Sequence, residues 1–487
     1  MSSTNQRPIQ AASVLKYTPV EEIQQIRDRV KATFASGRLQ PLQYRKEQLL
    51  RLAHLIEDNY PRFEEAYKLD LGRHKLEVTA CELDMVITEL MYVYNNFEIW
   101  AQPKKPPFNI KSWAFGPVIR KVPKGVVLVI GPFNFPLNST MSSLAGSIAA
   151  GNACVLKMSE HIPHVSALVT ELFPKYLDQD LFRVVNGAIP ETTALLDLQW
   201  DHIVFTGSPA VGKIVSAAAA KHLTPTTLEL GGKNPVFCDP KMDLDLTARR
   251  LLWAKQINAG QNCSAPNHIF IPREAQDALS NAFVKAYQEF YPDGAENAPI
   301  STLVNSAAFN RVKQVLENTR GEVVCGGQAD EKRRWIAPTV LKNVGLNDAV
   351  LENELFGPIL PIVPVNDIQE AIDYTRSQPH PLSLYVFTDD RDFEEHVFSQ
   401  TQSGQFVRND CCVQISCQGS PFGGVGESGH GMLMGQWTFD TLSHFRPTAT
   451  SPRFTDSIMG WRFPPYTDAK IKQAALMRPR VPALNPG

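Results

Sequence analysis

Between residues 126 and 238 the sequence alternates short runs rich in valine and isoleucine with helix-like segments. The runs are Val126–Ile130, Ala153–Leu156, Phe182–Val185, Ile203–Phe205 and Val236–Cys238, with amphipathic stretches such as His164–Tyr176 and Ala210–His222 between them. This alternation predicts βαβ units around a parallel sheet. In open sheets of that type ligands bind beyond the carboxyl ends of the strands. Residues just after each run are therefore the first candidates for chemistry.

The N-terminal hundred residues read differently. Thr18-Pro19-Val20-Glu21 has the pattern of a capping box with proline at the first helical position, and Val20, Ile23, Ile26, Val30 and Phe34 follow at helical spacing. A second helix carries Leu42, Leu49, Leu52, Leu55 and Ile56. A third runs from Cys81 to Trp100, with Leu83, Val86, Leu90, Met91 and Tyr94 on its apolar side. Pro103, Pro106 and Pro107 break the chain before the alternating region. At 487 residues the chain exceeds one ordinary domain.

The charge balance, 48 basic against 50 acidic residues, offers nothing that would draw the chain to nucleic acid or an anionic membrane. The opening MSSTNQRPIQ has no apolar run of a secretory signal, and no segment reaches the roughly 20 apolar residues of a membrane span. Seven prolines from Pro447 to Pro486 forbid one long helix in the tail. Eight cysteines in a chain this long do not make a disulfide framework, so the reading is a soluble, cytoplasmic protein.

Several residues could carry chemistry. Cys263 lies in the polar, glycine-led Gly260-Gln261-Asn262-Cys263-Ser264, whereas Cys154 and Cys238 lie inside apolar runs and read as packing residues. A thiol needs only a modest lowering of its pKa from ~8.5 to become partly thiolate, which backbone amides can supply. Glu229, between Leu228 and Leu230, reads either as a desolvated general base or as a strand-end partner of Lys233. Asn134, in the turn Gly131-Pro132-Phe133-Asn134-Phe135-Pro136, reads as a fixed donor for an oxyanion or as a turn residue bonding its own backbone. Gly207 and Ser208 open the helix after Ile203–Phe205, where helix amides can hold a phosphate, although GxGxxG spacing is absent. Lys157 and Glu160 could hold ribose hydroxyls or be a solvated pair. Glu354 and Phe356 sit at the Gly357-Pro358 turn, and Pro421–Gly429 is a glycine-dense loop. Vicinal Cys411-Cys412 reads as redox-active or packed, and no histidine–cysteine cluster has the spacing of metal ligands.

Taken in order, KMSE, FTGS, LELGGKNP, GQNC, ELFGP and PFGGVGESG resemble the aldehyde dehydrogenase superfamily. The run FTGSPAVGKIVSAAAAKHLTPTTLELGGKNP and the later RFPPY are similar to its class 3 and fatty aldehyde branch. The resemblance implies an α/β protein with a Rossmann-like cofactor domain (1–104 and 124–230), an α/β catalytic domain (231–437) and small β oligomerisation segments (105–123 and 438–470). Strand-forming stretches near Lys111–Lys121 and Leu442–Arg453 would build the last, and residues 471–487 are a tail outside the likeness.

The resemblance further implies a nucleophile at Cys263, a general base at Glu229 and an oxyanion-hole amide at Asn134. Lys157 and Glu160 then hold the adenosine ribose, Gly207 and Ser208 meet the pyrophosphate, Glu354 holds the nicotinamide ribose, and Phe356 lies beside the nicotinamide. The expected reaction takes an aldehyde, of medium or long aliphatic chain or aromatic, through a thiohemiacetal and a thioester to the acid. NAD is the expected cofactor, with NADP possible, no metal is implied, and a homodimer is expected. Met158 departs from the proline usual at that place, and bears on how Lys157 and Glu160 are aimed. The alternatives are a catalytically silent structural relative, against which Cys263 and Glu229 speak, and a coenzyme A-acylating relative, which has no need of Glu229.

Overall fold

The computed structural model describes residues 15–479 and 481–483. The decapeptide read above for a targeting signal, and the last four residues of the tail, lie outside the described residues. Four of the five apolar runs form one sheet of six strands, ordered Gly429–His430, Thr226–Leu230, His202–Gly207, Val126–Ile130, Ala153–Lys157 and Phe182–Val185. All neighbours are parallel except Gly429–His430, which lies antiparallel with Gly429 opposite Glu229.

The fifth run does not join this sheet. Pro235–Cys238 belongs to a second sheet of seven strands, between Ser383–Phe387 and His268–Pro272. The change of sheet happens across Gly231-Gly232-Lys233-Asn234, where a Cβ on Gly232 would stand 3.1 Å from the Leu382 amide. Alternating pattern reports that a segment is a strand, and the sheet it joins is set by contacts far along the chain. Residues of the second sheet alternate between two cores. Val236, Ile269, Ile362 and Tyr385 face one, while Phe237, Phe270, Val363 and Leu384 face the other.

Helices Val20–Ala35, Leu42–Glu57, Tyr60–Leu71 and Asp84–Trp100 cover the first sheet, with Ile23, Val30, Leu52, Ile56, Val86 and Leu90 in its core. The expected capping box at Thr18 is absent. Pro19 is the N-cap, Val20 is exposed, and the Thr18 hydroxyl instead accepts the Asn186 amide at 3.1 Å. The pairing is non-local, which a four-residue pattern cannot register. The third predicted helix is preceded by a π-helical turn, Thr79–Leu83, that carries Cys81 and Glu82.

Val118–Pro123 and Ser443–Thr448 make a two-stranded antiparallel ribbon, and Trp113–Phe115 ahead of it is a 3₁₀ turn. Among the described residues after the ribbon the helices are short, Thr455–Met459, the 3₁₀ turn Gly460–Arg462 and Asp468–Ala475. Among the described residues no helix is long and apolar enough to cross a membrane.

Candidate active site

A cavity of about 930 Å³ opens at the carboxyl ends of the first sheet and is lined on its other side by segments that lead into strands of the second, among them Asn262, Cys263, Glu354, Phe356 and Leu382. It is lined by all nine predicted site residues: Asn134, Lys157, Glu160, Gly207, Ser208, Glu229, Cys263, Glu354 and Phe356. Glycines permit the approach. A Cβ on Gly423 would stand 3.3 Å from Glu229 Oε1, and one on Gly429 would overlap the Leu228 carbonyl at 1.9 Å.

Glu229 stands one residue before the end of its strand, with both carboxylate oxygens buried and without a hydrogen-bond partner among the described residues. Burial holds its carboxyl well above the usual carboxylate range. The salt pair with Lys233 is not formed. Lys233 Nζ donates instead to the carbonyl of Leu351 (2.9 Å) and to Gln378 Oε1 (2.7 Å). Asn134 is buried, and its backbone carbonyl accepts from Arg73 Nη1 (3.3 Å) and Asn258 Nδ2 (3.1 Å). Its side-chain amide makes no hydrogen bond among the described residues, so the self-bonded turn asparagine is not what the structure contains; the amide remains available to the cavity.

Cys263 follows a backbone turned through the left-handed region at Asn258 (φ 50°), Ala259 (φ 53°) and Gly260 (φ 71°). Three buried donors then pin the loop. Asn234 Nδ2 donates to the carbonyls of Cys263 (2.6 Å) and Ala265 (2.9 Å), Tyr385 Oη to that of Ser264 (2.5 Å), and Lys255 Nζ to that of Pro266 (3.0 Å). The expected lowering of the thiol pKa is not found. Burial and then the Glu354 carboxylate push the Cys263 thiol up to about 12, while the Ser264 side chain and the Cys263 amide pull the other way. Of the vicinal pair, Cys411 packs in a core and Cys412 lines the cavity, its sulfur 3.5 Å from Asn262 Nδ2. Cys154 and Cys238 are buried as packing residues.

Along the other arm of the cavity, Ser208 caps the helix Pro209–Ala220, its hydroxyl accepting the Val211 amide at 3.4 Å. Gly207 lies under the Phe205 ring, which a Cβ would meet at 2.5 Å. Lys157 Nζ bonds Glu160 at 2.7 Å and holds that carboxyl below its usual range against the effect of burial. Met158 is buried beside Thr140, its sulfur 3.9 Å from the hydroxyl. The Glu354 carboxylate rests on Gly231, where a Cβ would stand 2.2 Å from Oε2, and burial pushes it up to about 7. Phe356 adopts φ 40° and meets Phe133 edge-on at 5.9 Å. A capped helix terminus over glycine, an ion pair and a second carboxylate further along are groups of the kind that a dinucleotide's phosphates and riboses call for.

Two residues of the site escaped sequence reasoning. Arg311 donates to the carbonyls of Glu354 (3.4 Å) and Phe356 (3.2 Å), and its helix offered no local signal. Asn234 stood within LELGGKNP, where an asparagine between two strand-like runs could have been weighed as a loop clamp.

The sequence model of the aldehyde dehydrogenase family matches residues 6–447. The chain is 38% identical over 444 residues to aldehyde dehydrogenase family 3 member A2 of Rattus norvegicus, covering 91% of each. It is 39% identical over 445 residues to family 3 member B1 of Homo sapiens, covering 91% of this chain and 95% of that protein. Its fold superposes with a TM-score of 0.90 on the substrate-bound state of Staphylococcus aureus AldH, which is 34% identical, over 94% of this chain and 99% of that one.

Proposed function

The chain belongs to the aldehyde dehydrogenase family, an NAD(P)-dependent aldehyde-oxidising enzyme family, and on that premise we propose how and on what it acts. The proposed substrates are medium- or long-chain aliphatic or aromatic aldehydes, since the cavity is walled by Met85, Trp253, Ile257, Phe422 and Leu433. The observation that carries the reading is one cavity holding a thiol, an unpartnered buried carboxyl and an uncommitted amide.

In this reading the Cys263 sulfur gives its proton to solvent water and bonds to the carbonyl carbon, and the carbonyl oxygen takes the electron pair. The Asn134 amide and the Cys263 N–H receive that charge, a contribution of roughly 10²–10³ in rate. NAD or NADP, held by Lys157, Glu160, Gly207, Ser208 and Glu354 with Phe356 beside its ring, supplies the hydride acceptor when bound. Cys263 is left carrying the acyl group as a thioester. Glu229, in its ionised form, then takes a proton from water, whose oxygen bonds to the acyl carbon; the C–S bond breaks and Glu229 passes the proton to the departing sulfur, releasing the acid and restoring the thiol. Loss of the first proton costs energy while the thiol sits near 12, so formation of the thiolate is itself part of the barrier.

We assign the first sheet with its helices to cofactor binding and the second to catalysis. We further propose a homodimer built on the Val118–Pro123 and Ser443–Thr448 ribbon, where Phe445 is exposed, and a cytoplasmic location. Steady-state assays over an aldehyde series with NAD and with NADP test the substrate class. Cys263→Ala is expected to abolish oxidation of every aldehyde, and turnover by that variant at the parent rate would refute the covalent route.

A further inference from the structure

We propose that Arg73 is a positioning residue that ties the Asn134 turn to the loop leading into Cys263. The inference rests on the roles just proposed for those two residues. Arg73 comes from the segment between helix Tyr60–Leu71 and the π-helical turn, and its side chain is completely buried. A guanidinium taken out of water must be paired and hydrogen-bonded to persist. Glu77 and Glu82 supply the charge, at 2.7 and 3.4 Å, and the Phe135 ring lies 4.5 Å from the guanidinium carbon.

The contacts close on themselves. Arg73 Nε donates to Glu77 Oε1 (2.7 Å), and the same oxygen accepts the Asn258 amide (2.8 Å). Arg73 Nη1 donates to the Asn134 carbonyl (3.3 Å), and that oxygen also accepts Asn258 Nδ2 (3.1 Å). Four hydrogen bonds thus make a ring through Arg73, Asn134, Asn258 and Glu77. Glu82 adds a second grip, its Oε2 accepting the backbone amide of Asn138, four residues after Asn134, at 2.7 Å. Glu82 lies in the π-helical turn and is buried there.

Asn258 begins the three left-handed residues that turn the chain toward Cys263. Such a backbone persists only where its surroundings over-determine it. The ring therefore sets the distance between the amide that receives the oxyanion and the sulfur that creates it. Catalytic geometry tolerates about 0.5 Å of error, and about 1 Å can cost 10²-fold.

The test uses the full-length enzyme and the pre-steady-state burst of NADH, which reads acylation. Arg73→Lys and Glu77→Gln are made singly and again in an Asn134→Ala background. Glu77 is partly exposed, so its amide variant carries the test if the buried arginine variant does not fold. Asn134→Ala alone is expected to slow the burst by about 10²–10³-fold. Glu77→Gln is expected to slow it about 10-fold and Arg73→Lys about 10–100-fold, with NAD affinity unchanged. On the Asn134→Ala background both further losses should shrink to within about two-fold, because no amide remains to be misplaced. Equal losses in both backgrounds, or folded variants with parent burst rates, overturn the inference. An unchanged burst in Asn134→Ala removes the oxyanion role itself, and the inference with it.

Discussion

Glu229→Gln isolates the group on which hydrolysis is proposed to depend. The substitution keeps the shape of the side chain and removes its ability to accept a proton. In the parent both carboxylate oxygens are buried and unpartnered, so the loss is of a proton acceptor and not of a bonded network. General-base catalysis contributes about 10²–10⁴-fold, or about 2.7–5.5 kcal/mol of barrier. A stopped-flow trace of the variant with saturating aldehyde and NAD should show a burst approaching one NADH per site. Steady turnover afterwards should fall by about 10²–10⁴-fold. The same substitution has a signed effect on stability. A carboxyl whose pKa is raised on folding favours the native state while protonated, and that advantage fades as pH climbs above the unfolded value near ~4.3. Relative to the variant, the parent should thus lose about 1.4 kcal/mol per pH unit until the native carboxyl ionises. Thermal denaturation at pH 5 and pH 8 reads this as a Tm advantage of the variant that grows with pH. Full steady turnover in Glu229→Gln, or a Tm difference independent of pH, would refute the reasoning.

Two further outcomes follow from the same geometry. Alkylation of Cys263 by iodoacetamide should keep accelerating from pH 7 to pH 10 because burial holds the thiol up to about 12; a plateau near the ordinary thiol value of ~8.5 would contradict that environment. Gly231→Ala places a methyl 2.2 Å from Glu354 Oε2, so the carboxylate must move. The KM for NAD should rise by about ten-fold or more, with thermal stability lowered only modestly, and an unchanged KM would detach Glu354 from the cofactor.

Much of the site was legible because its members lie at strand ends, where a local pattern announces them. Asn134 follows Val126–Ile130, Lys157 ends Ala153–Lys157, Gly207 ends His202–Gly207, and Glu229 stands one residue from the end of Thr226–Leu230. Their order along the chain carried the family resemblance, which the match over residues 6–447 bears out. Helical periodicity likewise placed Ile23, Leu52 and Val86 in the core they occupy.

The electrostatic state of those residues was another matter. Cys263 stands in a polar, glycine-led segment, yet its thiol is pushed up because folding buries it beside the Glu354 carboxylate. Glu229 is four residues from Lys233, but the lysine turns to Leu351 and Gln378, leaving the carboxyl alone. The ring around Arg73 joins positions 61, 124 and 181 residues apart, and no periodicity spans such intervals. Sequence by itself thus determined the main strands and helices, which follow from local spacing, and nominated the candidate reacting groups through the ordered motifs that carry the family resemblance. Tertiary structure alone decided which sheet Pro235–Cys238 joins, which charges meet and how dry each becomes. Desolvation and hydrogen bonding sum over atoms that only folding brings near.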